Sequence, residues 1–114
     1  MRDRWDLESW DRKKREVVEI ARRVTAGQLA LIGGCRQLSS LGHDLVDDWR
    51  IDRDFVVFGA VNSETDHLPL EDQRSHWEPA AFEAKQAEVA RVEAKSREGV
   101  WAACRSVITR FGGV

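Results

Sequence analysis

The sequence predicts an all-α fold: an antiparallel helix pair, a long C-terminal helix, and a structured irregular insert between helices two and three. Three observations carry that reading. Apolar residues recur three and four positions apart over three long stretches, the spacing of a single helical face. Gly27, Pro79 and Gly112-Gly113 stand where helices stop or start. One run alone, Phe55-Val56-Val57-Phe58, has strand character, and no second run is present to pair with it.

The first helix is expected over residues 9–26, with Trp10, Val17, Ile20, Ala21 and Val24 on its apolar stripe. Ser9 is the expected N-cap and Gly27 the expected stop, while Arg22 and Arg23 complement the carbonyl end. The second helix is expected over 28–45, with a seam of Leu31, Cys35, Leu38, Leu41 and Leu45. Gly33-Gly34 either admits a close neighbour or marks a boundary. The seam continues in phase beyond the pair, which points to close packing. So short a connection at Gly27 folds the two helices into a tight pair.

The third helix is expected over 79–111, opened by Pro79 and closed by Gly112-Gly113, with Phe82, Val89, Val92, Val100, Ala103, Val107 and Phe111 on one side. At 1.5 Å per residue it is a rod of about 50 Å, long enough to overhang the other two or to bend at Gly99. An overhanging end would be available for a homodimer. The insert, 46–78, is too long for a structureless loop. Phe55–Phe58 reads as a short strand or, with Asp52 as its cap, as a short helix through Val61; the missing second strand favours the short helix or a buried irregular segment.

The chain is expected to be one domain, residues 1–114. Forty-two per cent hydrophobic and 33% charged residues argue against disorder, and no apolar run approaches a membrane span. With no signal peptide visible at the charged start, a cytoplasmic location is expected. Eighteen Lys and Arg against 20 Asp and Glu give a formal net charge of −2, which argues against nucleic acid as the partner. Arg12-Lys13-Lys14-Arg15 spreads around a helix and reads as a solvated face. Cys35 and Cys104, 69 positions apart, read as partly buried free thiols, with a disulfide the alternative that this spacing does not specify.

No catalytic constellation stands out. The chain lacks G-x-S-x-G, GxGxxG, GxxxxGK[ST] and HExxH. No metal or other cofactor is expected: His43 and Asp44 are adjacent and diverge on a helix, while His67 and His76 are nine apart beside Glu64, Asp66, Glu71 and Asp72. The segment Asn62-Ser63-Glu64-Thr65-Asp66-His67-Leu68-Pro69 reads as a rigid connection whose Ser63, Thr65 and Asp66 bond nearby amides. Of Trp5, Trp10, Trp49, Trp77 and Trp101, the pair Trp10 and Trp101 belongs to the core. Trp49 and Trp77 bracket the insert, either pinning it or serving as aromatic anchors ringed by charge.

Several stretches together resemble an uncharacterised family of small bacterial helical proteins. They are Arg36-Gln37-Leu38-Ser39-Ser40-Leu41, Asp54-Phe55, Glu64-Thr65-Asp66-His67-Leu68-Pro69, Trp77-Glu78-Pro79-Ala80 and Ala103-Cys104-Arg105. The likeness covers about Val24 to Phe111 and departs at Gly42, where the family pattern has a larger side chain. It implies a bacterial, cytosolic, mostly helical protein and assigns no activity.

The function expected is non-enzymatic protein binding. Toxin-neutralising immunity proteins of bacteria are similar in size and chemistry, so a toxin with a basic surface is the leading specific partner. Asp44, Asp47, Asp48, Glu64, Asp66 and His67 would form the acidic binding surface, with Trp49 and Trp77 as apolar anchors. The alternatives are a small metal-dependent hydrolase centred on Asp66, His67 and His76, and a structural homodimer through the third helix.

Overall fold

Residues 4–112 are described in the computed structural model of the chain. Met1-Arg2-Asp3 and Gly113-Val114 lie outside the described residues, as do the side chains of Arg4, Trp5, Asp6, Glu71 and Asp72. Four α-helices make up the fold among the described residues: α1 (Arg4–Thr25), α2 (Leu31–Leu45), α3 (Phe55–Thr65) and α4 (Pro79–Phe111), with a 3-10 helix at Glu71–His76. The protein is all-α, and the long C-terminal helix has the bounds its sequence predicts.

Helix α1 is already helical at Arg4, so Ser9 is an interior residue and not the N-cap. Nothing between Arg4 and Glu8 breaks a helix, and Arg, Leu and Glu all favour one, so the helix extends past the cap candidate. Its C-terminus follows expectation. Gly27 takes φ +75°, which lets the Gln28 N–H reach the Arg23 carbonyl at 2.8 Å and the Gly27 N–H reach Val24 at 3.1 Å. That double closure ties up Gln28, so α2 begins at Leu31 and not at Gln28.

Helix α2 returns against α1 and buries Leu31, Ile32, Cys35, Leu38 and Leu45; Leu41 is only half-buried. Gly34 sits so close to α1 that a Cβ there would stand 2.3 Å from Val24 Cγ2, whereas a Cβ at Gly33 would meet nothing within 4 Å. Close packing therefore belongs to one glycine of the pair. Phe55–Phe58 is helix, one of the readings the absent partner strand leaves open, and α3 runs on past Val61 to Thr65. The Thr65 hydroxyl donates to the Val61 carbonyl at 2.6 Å instead of accepting from an amide, which lets a fully buried threonine continue the helix.

Helix α4 opens on Pro79, and the Glu78 carboxylate accepts from the Ala80 and Ala81 amides at 3.3 and 3.0 Å. Its buried line runs through Phe82, Val92, Val100, Ala103, Cys104 and Val107. Phe82 is fully buried near the N-terminal end, where the Arg74 guanidinium lies 4.4 Å from the ring centre. The molecule measures 51 × 27 × 25 Å, its long dimension matching the length of α4. One continuous core joins all four helices through Val17, Ala21, Leu38, Phe55, Phe58, Val100 and Val107. No helix of the described residues is long and apolar enough to cross a membrane.

Candidate functional site

The connection between α2 and α3, residues 46–54, contains no helix and is nevertheless tied down at several points. Val46 leaves α2 in extended geometry, its N–H still bonded to Gly42. The Asp48 carboxylate then accepts the Arg50 amide at 3.0 Å, and Ile51 N–H reaches the Asp48 carbonyl at 3.2 Å, closing a turn. Trp49 packs so tightly on α3 that a Cβ at Gly59 would fall 2.2 Å from its ring, and His43 meets the indole edge-on at 5.7 Å. Trp49 is thus both half-buried and pinned.

The far end of the connection is held by α4. Arg110 forks onto Asp52, with Nη1 at 3.0 Å from Oδ1 and Nη2 at 2.7 Å from Oδ2, and Nη1 also donates to Asp54 at 3.1 Å. Ser106 donates to the same Asp54 oxygen at 2.9 Å. Asp52 meanwhile accepts the Asp54 and Phe55 amides at 3.0 and 3.2 Å, which makes its side chain the cap of α3. The Arg110 fork, helped by those amides, lowers the Asp52 carboxyl to about 2.

Two open grooves flank this connection. One, of about 460 Å³, is lined by Trp10, Leu45, Val46, Asp47, Asp48, Ile51, Asp52 and Arg110. The other, of about 390 Å³, lies on the His43 and Trp49 side and shares Val46, Asp47 and Asp48 with the first. Ile51 stands out on the rim with 83% of its surface exposed, the most exposed large hydrophobic side chain among the described residues. Asp47 is exposed, and no ion pair or side-chain hydrogen bond involves its carboxylate among the described residues.

Of the residues expected to bind a partner, Asp47, Asp48 and Trp49 come together here. Asp44 is close in sequence, and its carboxylate meets Lys13 of α1 at 3.0 Å. Glu64, Asp66 and His67 belong elsewhere, at the opposite end of α3, an 11-residue helix of about 16 Å. There the Arg36 Nη2 donates to the Thr65 carbonyl and to the Leu68 carbonyl at 3.0 Å, holding the turn after α3 against α2. His67 meets Glu88 at 3.2 Å and Asp66 at 3.9 Å, and Lys95 meets Glu64 at 2.5 Å. His67 holds the Glu88 carboxyl below its ordinary range. Trp77 is half-buried where the 3-10 helix ends. The expected surface is therefore divided between places, because α3 separates its halves.

His76 sits on the exposed 3-10 helix, outside the His67 pairs. Among the described residues, no group of three or more His, Cys, Asp or Glu is placed to hold a metal ion. Cys35 and Cys104 are buried, free and near enough to influence one another; burial first, and for Cys35 the Cys104 neighbour second, pushes both thiols up to about 12. Sequence reasoning missed Ile51 and Arg110 as site residues and placed Trp10 in the core, where the structure puts it half-buried at the groove. The Arg110–Asp52 pair spans 58 positions, so no local spacing announces it.

Comparison with protein-family models, curated proteins and solved structures finds no match to this chain, so the functional reading rests on its own geometry.

Proposed function

We propose that the chain is a non-enzymatic protein-binding protein whose α2–α3 connection docks onto a basic surface of its partner and occludes it. One observation carries this reading: Ile51, 83% exposed, projects from a connection held rigid by Trp49, Asp48, Asp52 and Arg110. Burying an isoleucine fully contributes about 1.5–3 kcal/mol, and a segment ordered before binding loses little conformational entropy on docking. Asp47 beside it, exposed and with no ion pair among the described residues, supplies negative charge that steers a basic protein toward the apolar contact. Occlusion of this kind is how a bacterial immunity protein neutralises a toxin, and that is the specific form of the proposal.

The test compares baits. Wild type and an Asp47→Lys, Asp48→Lys double variant, both shown to be folded by circular dichroism, are used to capture partners from cells of the source organism. A protein retained by wild type is expected to be lost by the variant, and with the purified partner the variant is expected to associate more slowly and with weaker salt dependence. Equal capture and equal association rates would refute the assignment.

A further inference from the structure

We infer that the partner docks an amphipathic helix, apolar on one side and basic at its flanks, in the groove between the start of α1 and the α2–α3 connection. This rests on the docking surface proposed above; it names the element that enters and adds Leu7 and Trp10 to the surface that receives it.

The apolar lining of the groove comes from separate elements. Trp10 stands on α1, Leu45 and Val46 at the end of α2, and Ile51 on the connection, around a space of about 460 Å³. Leu7 precedes Trp10 by three residues, so the two are neighbours on α1 and Leu7 prolongs its rim. Leu7 is 52% exposed and, with Ile51 and Val56, makes up the large hydrophobic side chains left exposed among the described residues. These side chains belong to one end of the molecule. Lys13 meets Asp44 in the last turn of α2, which brings the start of α1 there, and the Val56 N–H bonds the Asp52 carbonyl at 3.0 Å. Scattered exposed hydrophobics are ordinary on a protein surface, whereas a set gathered around an open groove marks a contact.

Charge selects the occupant. Among the described residues the groove is lined by Asp47, Asp48 and Asp52 against one cation, Arg110, a net of −2. One of the 18 Lys and Arg and three of the 20 Asp and Glu are therefore at the groove, which leaves 17 of each sign to cancel elsewhere. The negative excess of the whole chain is found at this apolar groove, and its complement is an apolar side chain flanked by Lys or Arg. The occupant is helical because an extended peptide is held by adding to a sheet edge, and the described residues contain no strand. An amphipathic helix laid in a groove needs side-chain contacts alone, and its flanking residues fall beside the acidic rim.

The test is a titration of the whole chain followed by amide and indole NMR. The probe is an amidated 11-residue peptide of Leu and Lys with its leucines on one helical side. Its controls are a peptide of the same composition with the leucines scattered around the helix, and a counterpart with Glu for Lys. The one-sided Lys peptide is expected to move the Trp10 indole and the amides of Leu7 and of Val46 to Asp52, and both controls to leave them in place. Leu7→Ser and Ile51→Ser leave the net charge unchanged and remove exposed side chains, and each is expected to weaken binding roughly five- to tenfold, the loss of a partly buried apolar contact. Asp47→Lys is expected to weaken it too. Glu98→Lys makes the same charge change about 18 Å along α4 from Arg110 and is expected to bind as wild type does. Equal binding of the scattered peptide would overturn the helical occupant, and wild-type binding by Leu7→Ser would overturn the part given to α1. Equal weakening by Glu98→Lys would reduce the contact to general charge attraction and overturn the groove. If the one-sided peptide moves none of these signals while the double lysine variant still loses the partner, this inference falls and the docking surface stands. If that variant keeps the partner, the docking surface falls as well.

Discussion

Gly33 and Gly34 are consecutive residues of α2 and are expected to respond to alanine with opposite signs. Both gain the same intrinsic benefit, since alanine is about 0.5–1 kcal/mol better than glycine inside a helix. At Gly33 a new Cβ meets nothing within 4 Å, so Gly33→Ala is expected to stabilise by about that amount. At Gly34 the Cβ would stand 2.3 Å from Val24 Cγ2, where carbon atoms need about 3.5–4.0 Å. Val24 is 3% exposed and β-branched on a helix, so it has one favoured rotamer and no space to turn into. The helices must part instead, and overpacking of this sort costs about 1–3 kcal/mol. The net expectation for Gly34→Ala is a loss of about 1–2 kcal/mol. Urea unfolding followed by circular dichroism reads both variants, and Val24→Ala in the Gly34→Ala background closes a double-mutant cycle with a coupling of about 1 kcal/mol or more. A Gly34→Ala protein as stable as wild type, or a cycle without coupling, would show that the α1–α2 approach is not tight.

Asp52 lies below its ordinary value of 3.8, at about 2, so its pairing with Arg110 stabilises the fold above about pH 4 and that contribution is lost as pH falls toward 2. Asp52→Asn is expected to cost about 1–2 kcal/mol at pH 7, allowing for water on the Arg110 side, and the gap to wild type is expected to close by pH 2; a gap independent of pH in urea titrations contradicts the pairing. Cys35 and Cys104, both at about 12 and buried, are expected to react with a soluble disulfide reagent at neutral pH only when the core opens, so Gly34→Ala speeds labelling; modification of native wild type within seconds contradicts their burial. Gly59→Ala places a Cβ 2.2 Å from the Trp49 ring and is expected to expel the indole, seen as a red shift in tryptophan emission; an unchanged spectrum argues against the seat.

Both ends of α4 were legible because their signals are local: Pro79 after Glu78 opens a helix, and Gly112 ends one. The start of α1 was not. Ser9 is a good cap by type, but a cap acts only if the residues before it leave the helix, and Arg4 to Glu8 do not. The start of α2 was misplaced because the closure at Gly27 also consumes Gln28, a hydrogen-bond pattern rather than a composition. At the site, Asp47, Asp48 and Trp49 were readable as aromatic and charge side by side. Glu64, Asp66 and His67 lie apart from them because α3 is helical to Thr65 and sets them at its far end. Ile51 looked ordinary in sequence, since exposure depends on what neighbours bury.

The Arg110 contacts explain why Ile51 can be exposed without the connection loosening. A nine-residue segment with few backbone bonds of its own would normally fray. Here Trp49 is seated on α3 and Asp52 and Asp54 are fixed to α4, so Ile51 lies between two anchors. Asp54, 3% exposed, is a carboxylate whose burial is tolerable only with Arg110 and Ser106 donating to it. A fold selected for stability alone has a simpler solution in an apolar residue at that position. The polar clamp instead fixes the direction of the segment, because hydrogen bonds constrain angle as well as distance where apolar packing tolerates sliding. Directional fixing matters only if the orientation of what lies between the anchors matters, and what lies there is an exposed isoleucine beside unpaired negative charge.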